Sequence, residues 1–332
     1  MKKVLSLLKQ VFFFLVVPGA VYLFFSILRP DVFLNWSSLY TIALSSCITI
    51  ILAWGISFSL MAGIVDFSVA SERVLGAVVG VLLSRSMGIW GLIVGSLVTA
   101  ILFGVVKAGL NACIKVSSMV ISVAYCYIIG SIGALVQGNN SMILTSDMCI
   151  LGKSPYIWII FALCGVVIYI LQRYSVFGAH CRALGGNGKI SAEAGISKGK
   201  TEGLAIFVAS IFAGVSGVLA TSYGAGTVAE TGLASMGTIF PAIIGFNIGA
   251  MLSKYINITF GCVAGVLTMN ILATGLVSLN IPSQLKDTAT GLFLIFLLCL
   301  TTIMERRHAE TLRRQASNMA DLSAEKPVDA KA

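Results

Sequence analysis

An all-α polytopic membrane protein of about ten transmembrane helices, with both termini cytoplasmic, is the fold class that the sequence predicts. Three observations predict it. Of 332 residues, 58% are hydrophobic and only 11% charged, and with a mean hydropathy of +0.98 no soluble globular domain matches the profile. Apolar stretches of roughly 20 residues, the length that crosses a bilayer, recur between short polar breaks where Lys, Arg, Asn and Pro collect. The basic residues fall overwhelmingly on one side of the topology that these stretches define.

In chain order the spans are 11–28, 39–62, 69–86, 89–108, 118–138, 155–172, 204–222, 237–252, 256–278 and 285–303. The first follows Lys2 and Lys3 as a signal peptide would, but its apolar core runs to Leu28 and no small-x-small cleavage site ends it, so it reads as an uncleaved span. After the second, Gly63, Asp66 and Ser68 should interrupt the helix, with Asp66 or Ser68 capping the first turn of the third. The longest interior polar segment, Arg173 to Gly203, separates the sixth and seventh spans. Within it Asn187 can cap a short helix, Gly188 to Ala194, and Gly195 stands where a left-handed residue would end that helix. Beyond the tenth span the tail alternates charge without apolar periodicity, as a fraying helical extension does. The expected organisation is a transmembrane domain over 1–304, a cytoplasmic loop at 173–203 within it, and a polar cytoplasmic tail over 305–332. A β-barrel would need alternating segments of about ten residues, which are absent.

With the N-terminus inside, Lys2, Lys3, Lys9, Lys107, Lys115, Arg173, Arg182, Lys189, Lys198, Lys200, Lys254, Arg306, Arg307, Arg313, Arg314, Lys326 and Lys331 all fall on the cytoplasmic side. Arg29, Arg85, Lys153 and Lys286 fall outside, and Arg73 lies near a span. These cytoplasmic loops account for the net charge of +9, so nucleic acid is not needed to explain it.

Catalytic chemistry finds little support. The 8 cysteines are scattered, mostly within spans, and form no Cys-x-x-Cys pair, which argues against a disulfide framework or a metal site. Gly199-Lys200-Thr201 looks like the end of a phosphate-binding loop, but Ala194 stands where the first glycine is required, and a membrane span follows instead of a soluble helix. His180 and His308 have no partner at ligand spacing. No convergent nucleophile, base, metal ligand or cofactor-binding motif emerges, so the chain does not read as an enzyme. The pairs Gly76/Gly80, Gly91/Gly95, Gly245/Gly249 and Gly261/Gly265 have the spacing that lets membrane helices approach closely, and they read as packing.

Ionisable groups at membrane depth carry more information, because each costs a few kcal/mol or more and is usually turned toward a partner or a cavity. Asp66, Glu72 and Arg73 form such a group, either as a cap with an internal ion pair or in contact with a substrate. Asp66, Ser68 and Asn270 are the candidates for a polar path through the apolar helices, although Asn270 can equally join two helices by a hydrogen bond. The scarcity of buried carboxylates disfavours an ion-coupled secondary transporter, the alternative class.

The segment from Phe177 to Ile196, Phe-Gly-Ala-His-Cys-Arg-Ala-Leu-Gly-Gly-Asn-Gly-Lys-Ile-Ser-Ala-Glu-Ala-Gly-Ile, closely resembles the cytoplasmic loop of bacterial ABC-type monosaccharide permeases, the ribose/xylose/galactose and autoinducer-2 group. The matching positions are Gly178, Ala183, Gly185, Gly186, Asn187, Ala192, Gly195 and Ile196. Asp66 and Ser68 resemble the same family's Gly-Gly-Ile-Asp-Leu-Ser motif, with Gly63-Ile64-Val65 in place of Gly-Gly-Ile. Asn111 resembles the family's turn after the fourth span, and the resemblance extends over nearly the whole chain. The chain departs from the pattern at Glu72-Arg73, where small or apolar residues are usual, and at Gly245 to Leu252.

The resemblance implies a permease subunit of a binding-protein-dependent importer in the bacterial inner membrane, working by alternating access. It implies as partners an ABC ATPase subunit that binds ATP and Mg, an extracytoplasmic solute-binding protein, and a second permease copy or a paralogue. Gly178, Gly185, Gly186, Asn187, Ala192, Gly195 and Ile196 would form the ATPase-coupling loop. The outer segments 137–155 and 223–236 would meet the binding protein, with Glu230 in the second either a docking contact or a solvated charge.

Overall fold

In hydrocarbon no water satisfies a backbone N–H or C=O, so apolar stretches of this length close their hydrogen bonds within themselves as helices. The computed structural model describes residues 2–114, 116–253 and 255–280, together with Leu285, Thr288, Gly291, Leu292, Ile295 and Cys299. Among the described residues the fold is helical, the one β-bridge being Ile143 to Gly226. The first expected span lies in α1 (Lys2–Leu28), and a short α2 (Pro30–Phe33) leads into α3 (Trp36–Met61). Asn35 caps α3, its side chain accepting from Ser37 N–H at 3.0 Å.

The third and fourth expected spans are the two arms of α4 (Ser68–Cys113), a helical hairpin that turns back on itself at Gly88, φ 61° and ψ −144°. Glycine adopts that backbone without a side-chain clash. The arms lie antiparallel: a Cβ on Gly95 would stand 2.9 Å from the Gly80 Cα, and one on Gly76 would stand 2.7 Å from the Ser96 carbonyl oxygen. Then come α5 (Ser118–Gln137), a 3-10 helix (Ser146–Gly152), α6 (Tyr156–Arg173), the loop helices α7 (Val176–Gly186) and α8 (Gly188–Glu193), and α9 (Lys198–Tyr223). The described series closes with α10 (Met236–Leu252) and α11 (Ile258–Ser278), a second antiparallel pair. In that pair Gly249 meets Gly261 and Gly245 meets Gly265, so the glycine pairs read from sequence as packing surfaces face one another across both hairpins.

By length and composition α3, α4, α5, α6, α9 and α11 can each cross a membrane, and α10 and the apolar 14–28 part of α1 are shorter. The centre is α3, apolar on all sides and enclosed by α9, α10, α11, α6 and α7. Helix α6 instead exposes Ile159, Leu163, Val166 and Ile170, the surface expected of a lipid-facing helix. At one end of the bundle Gly63, Asn111, Ser117 and Lys198 line a common cavity. At the other end Arg85 bonds Asn140 and Ser141, and Leu144 N–H donates to the Ala225 carbonyl at 3.0 Å.

The chain divides after Asp287, and the positions described in the second unit, Thr288 to Cys299, are helical. Most of the tenth expected span, the expected boundary at 304/305 and the tail 305–332 lie outside the described residues, as do Lys115 and Lys254.

Candidate functional site

Helix α3 stops in a motif closed by glycine. Gly63, at φ 81°, donates its N–H to the Leu60 carbonyl at 3.1 Å, and Ile64 N–H reaches back to the Ser59 carbonyl at 2.8 Å. Three residues on, Asp66 starts α4: its Oδ1 accepts from Ser68 N–H at 3.0 Å and from the Ser68 hydroxyl at 2.9 Å. Phe67 stands at the N-cap position without a side-chain cap bond, so of the two candidates Asp66, one residue before it, supplies the acceptor and Ser68 the donor.

The Asp66 carboxylate also pairs with Lys107 from the far arm of α4, and both side chains are fully buried. Lys107 thus leaves the cytoplasmic-loop group to which sequence assigned it; the hairpin folds it against Asp66, and an ammonium there is held by an ion pair instead of by water. Glu72 does not pair with Arg73, as the sequence left open. Its Oε1 accepts from the Ser68 hydroxyl at 3.2 Å, and its Oε2 from the Ser210 hydroxyl of α9 at 2.7 Å. Two carboxylates, one ammonium and two hydroxyls are thereby brought together where α3, α4 and α9 meet.

Asn270, the third residue nominated for the path, sits elsewhere: its Nδ2 donates to the Ser46 hydroxyl at 3.0 Å and ties α11 to α3. The segment after α9 also departs from a solvated outer loop, since it dips into the bundle. Ser235 and Ser71 share a hydrogen bond of 2.6 Å, and a Cβ on Gly130 of α5 would stand 2.9 Å from the Glu230 carbonyl oxygen. Glu230 is accordingly half-buried, and it lines the same cavity as Arg73.

At the opposite end the loop 174–197 is built by two caps. The Ser175 hydroxyl accepts from Gly178 N–H at 3.0 Å to start α7. The Asn187 Oδ1 accepts from Lys189 N–H at 3.0 Å and Ile190 N–H at 3.3 Å to start α8. Gly195, at φ 81°, ends α8: its N–H bonds the Ala192 carbonyl at 3.0 Å, and Ile196 N–H bonds the Ser191 carbonyl at 2.9 Å.

The resemblance-derived residues sort by direction. Gly178 is buried, a Cβ there standing 3.0 Å from the Gln172 carbonyl oxygen; Gly185 keeps an exposed edge, but a Cβ on it would run into the Met61 carbonyl oxygen. Gly186, Asn187 and Ala192 are exposed. Beside them Ile190, an apolar residue 62% exposed, completes the outer surface of α8 and was not singled out from sequence. The loop is seated on α3 by Gly185, by Phe177 tilted against Phe58 with ring centroids 4.8 Å apart, and by buried Cys181 and Leu184.

A polar network that sequence reasoning also missed runs behind this seat. Arg182 donates to the Gln172 carbonyl at 2.6 Å, Gln172 Nε2 donates to the Ser57 hydroxyl at 2.8 Å, and the Thr259 hydroxyl donates to Gln172 Oε1 at 2.6 Å. An amide in the last turn of an apolar span was its only signal. Replacing Asn187 by Ala removes the acceptor for two N–H groups and should cost about 1 kcal/mol, roughly a fivefold shift in the loop's local equilibrium. The expected outcome is normal membrane insertion with transport reduced by about that factor, read as initial uptake rate per folded chain.

Next to the break, Gly63, Val65, Asn111, Ser117, Lys198 and Glu202 line an open cavity of about 750 Å³, and Asn111 Nδ2 donates to Glu202 across it at 3.3 Å. Among the described residues no group of three or more His, Cys, Asp or Glu side chains is arranged to hold a metal, and the cysteines are unpaired.

Comparisons with known proteins place the chain among transporter permeases. Residues 38–299 match the family described as branched-chain amino acid transport system / permease component. The chain is 24% identical over 284 residues to "Probable ABC transporter permease protein y4mJ" of Sinorhizobium fredii, covering 82% of this chain and 84% of the other. It is 25% identical over 268 residues to the L-arabinose ABC transporter permease protein AraH of Azospirillum brasilense, covering 78% and 77%. It is 22% identical over 291 residues to the autoinducer 2 import system permease protein LsrD of Yersinia pestis, covering 82% and 86%. No solved structure matches. With a family match running from within α3 to the last described position, this chain belongs to the branched-chain amino acid transport system / permease component family.

Proposed function

We propose that this chain is the membrane-spanning permease subunit of a binding-protein-dependent ABC importer in the bacterial inner membrane, carrying a monosaccharide or a related small polar solute. The observation that carries the reading is the family match over residues 38–299, with relatives named for L-arabinose and autoinducer 2. In this reading the chain has about ten spans with both termini cytoplasmic, and the end of the bundle bearing α7 and α8 faces the cytoplasm. An ABC ATPase subunit, which binds ATP and Mg2+, docks on Gly186, Asn187, Ala192 and Ile190. A solute-binding protein delivers cargo at the other end, and a second permease copy or a paralogue completes the path.

The seat of α7 on α3 supports the coupling role physically. Gly185 rests against the turn at Met61 to Gly63, three residues from Asp66, so a push on the loop is delivered to the start of α4. Asp66 and Ser68 line the path as members of the buried charge cluster. Asn270, engaged with Ser46, serves helix packing in this reading. Buried Asp66 and Glu72 are also what a gradient-driven secondary transporter would use. Mass spectrometry of proteins copurifying with the tagged chain from gently solubilised membranes separates the two. Recovery of an ATPase subunit is expected; recovery of this chain alone, with gradient-driven uptake in liposomes, would sink the importer.

A further inference from the structure

Between the first arm of α4, α9 and the dipping segment lies a cavity of about 240 Å³. Arg73 and Glu230 both line it, beside Thr221 and Thr227. The Arg73 Nε and the Glu230 Oε2 are shielded from solvent, and neither has a hydrogen-bond partner among the described residues. The two side chains carry opposite charge and line the same space, yet they form no ion pair within 4.0 Å. Both residues are half-buried, and each keeps one polar atom shielded and unbonded, an arrangement that persists where the backbone is pinned and a ligand or water completes the shell.

The backbone is pinned on both sides. A Cβ on Gly217 of α9 would stand 2.9 Å from the Arg73 carbonyl oxygen, which leaves α4 no room to shift toward α9. Across the cavity Thr227 N–H bonds the Met142 carbonyl at 2.9 Å, Ala229 N–H bonds Gln137 Oε1 at 2.6 Å, and Gly130 lies under Glu230.

We propose that Arg73 and Glu230 form a monosaccharide-recognition site within the permease, a role that rests on the importer reading and adds to it a selectivity element in the membrane subunit. The guanidinium donates to one sugar hydroxyl oxygen while the carboxylate accepts from a neighbouring hydroxyl, a donor-plus-acceptor demand that a vicinal diol meets. Guanidinium and carboxylate together carry no net charge, which matches a neutral cargo. The cavity is smaller than the roughly 300–1,000 Å³ pockets of drug-sized ligands, a scale suited to a single sugar ring. The remaining wall is aliphatic, from Val74, Ala77 and Ala220, with no aromatic platform, as suits a site that must release its cargo.

The test uses the complete importer, this chain with its ATPase and binding protein, reconstituted in liposomes. Uptake of radiolabelled L-arabinose, D-xylose, D-ribose and L-leucine is measured for wild type, R73Q, E230Q and T227V, with melting curves as a fold control. R73Q and E230Q should slow sugar uptake about tenfold or more, as expected for lost hydrogen bonds to charged groups. They should also change the ratio among the three sugars, which a purely structural role would leave alone. Folded R73Q and E230Q with wild-type rates and ratios overturn the site, the pair being then solvated by water only. If both variants fail to fold, T227V decides: an altered sugar ratio supports the site, and an unaltered one overturns it. Wild-type importer that moves L-leucine but no sugar overturns the sugar assignment. Wild-type chain that assembles with no ATPase overturns the importer reading itself, and the site with it.

Discussion

Lys107→Met is expected to destabilise the protein more than any other single exchange in the bundle, by about 3–5 kcal/mol, because it strips the counter-charge from a fully buried Asp66. Methionine preserves much of the lysine's apolar stem, so lost packing contributes little and the loss isolates the charge. The side chain left behind accepts from Ser68, but no cation remains to offset its desolvation. The measurement is the melting temperature and the folded fraction of the detergent-solubilised chain. Combining it with Asp66→Asn should recover a large part of the loss, since removing both members of a buried pair is far cheaper than removing one. The residues touch, so the two exchanges will not add, and the interaction energy comes from the double-mutant cycle. If K107M melts with wild type, the buried pair contributes nothing to stability.

Gly185→Val is expected to be the most damaging exchange in the loop. Its side chain would run into the Met61 carbonyl oxygen, a backbone atom that the turn at Gly63 holds in place. Either α7 lifts from α3 or the end of α3 distorts, and overpacking of this kind typically costs about 1–3 kcal/mol. The spans lie elsewhere, so the chain should still insert, while uptake and cargo-stimulated ATP hydrolysis are lost together. Gly186→Val is the informative neighbour, because a Cβ there meets nothing within 4 Å. That variant should melt like wild type and lose only copurification of the ATPase. Equal melting temperatures for G185V, G186V and wild type would dispose of the seat on α3 as a coupling element.

The contrast between adjacent glycines shows where sequence reasoning ran out. Both belong to the same recognisable loop, and nothing in the order of residues says that one faces the Met61 carbonyl and the other faces open space. Ile190 was passed over for a similar reason: an isoleucine in a short helix is unremarkable until its exposure is seen. Glu230 read as a docking contact or a solvated charge because it stands in an outer connecting segment, whereas its neighbours in space are Arg73 and the packed face of α5.

What the sequence determined by itself was whatever has a local cause. Helices follow from apolar length in a solvent that cannot hydrogen-bond, and their ends follow from Asn187, Ser175, Gly63 and Gly195, whose partners lie within five residues. The glycine pairs of α4, α10 and α11 were legible as packing surfaces because small side chains at that spacing have one principal use in membranes. The tertiary structure alone decided which pairs met, and with them the site. Asp66 and Lys107 are 41 residues apart, and Glu72 finds Ser210 at a separation of 138. A charge at the end of an apolar stretch looks the same in sequence whether it reaches water or a counter-ion, and only the fold of the α4 hairpin against α9 settles which.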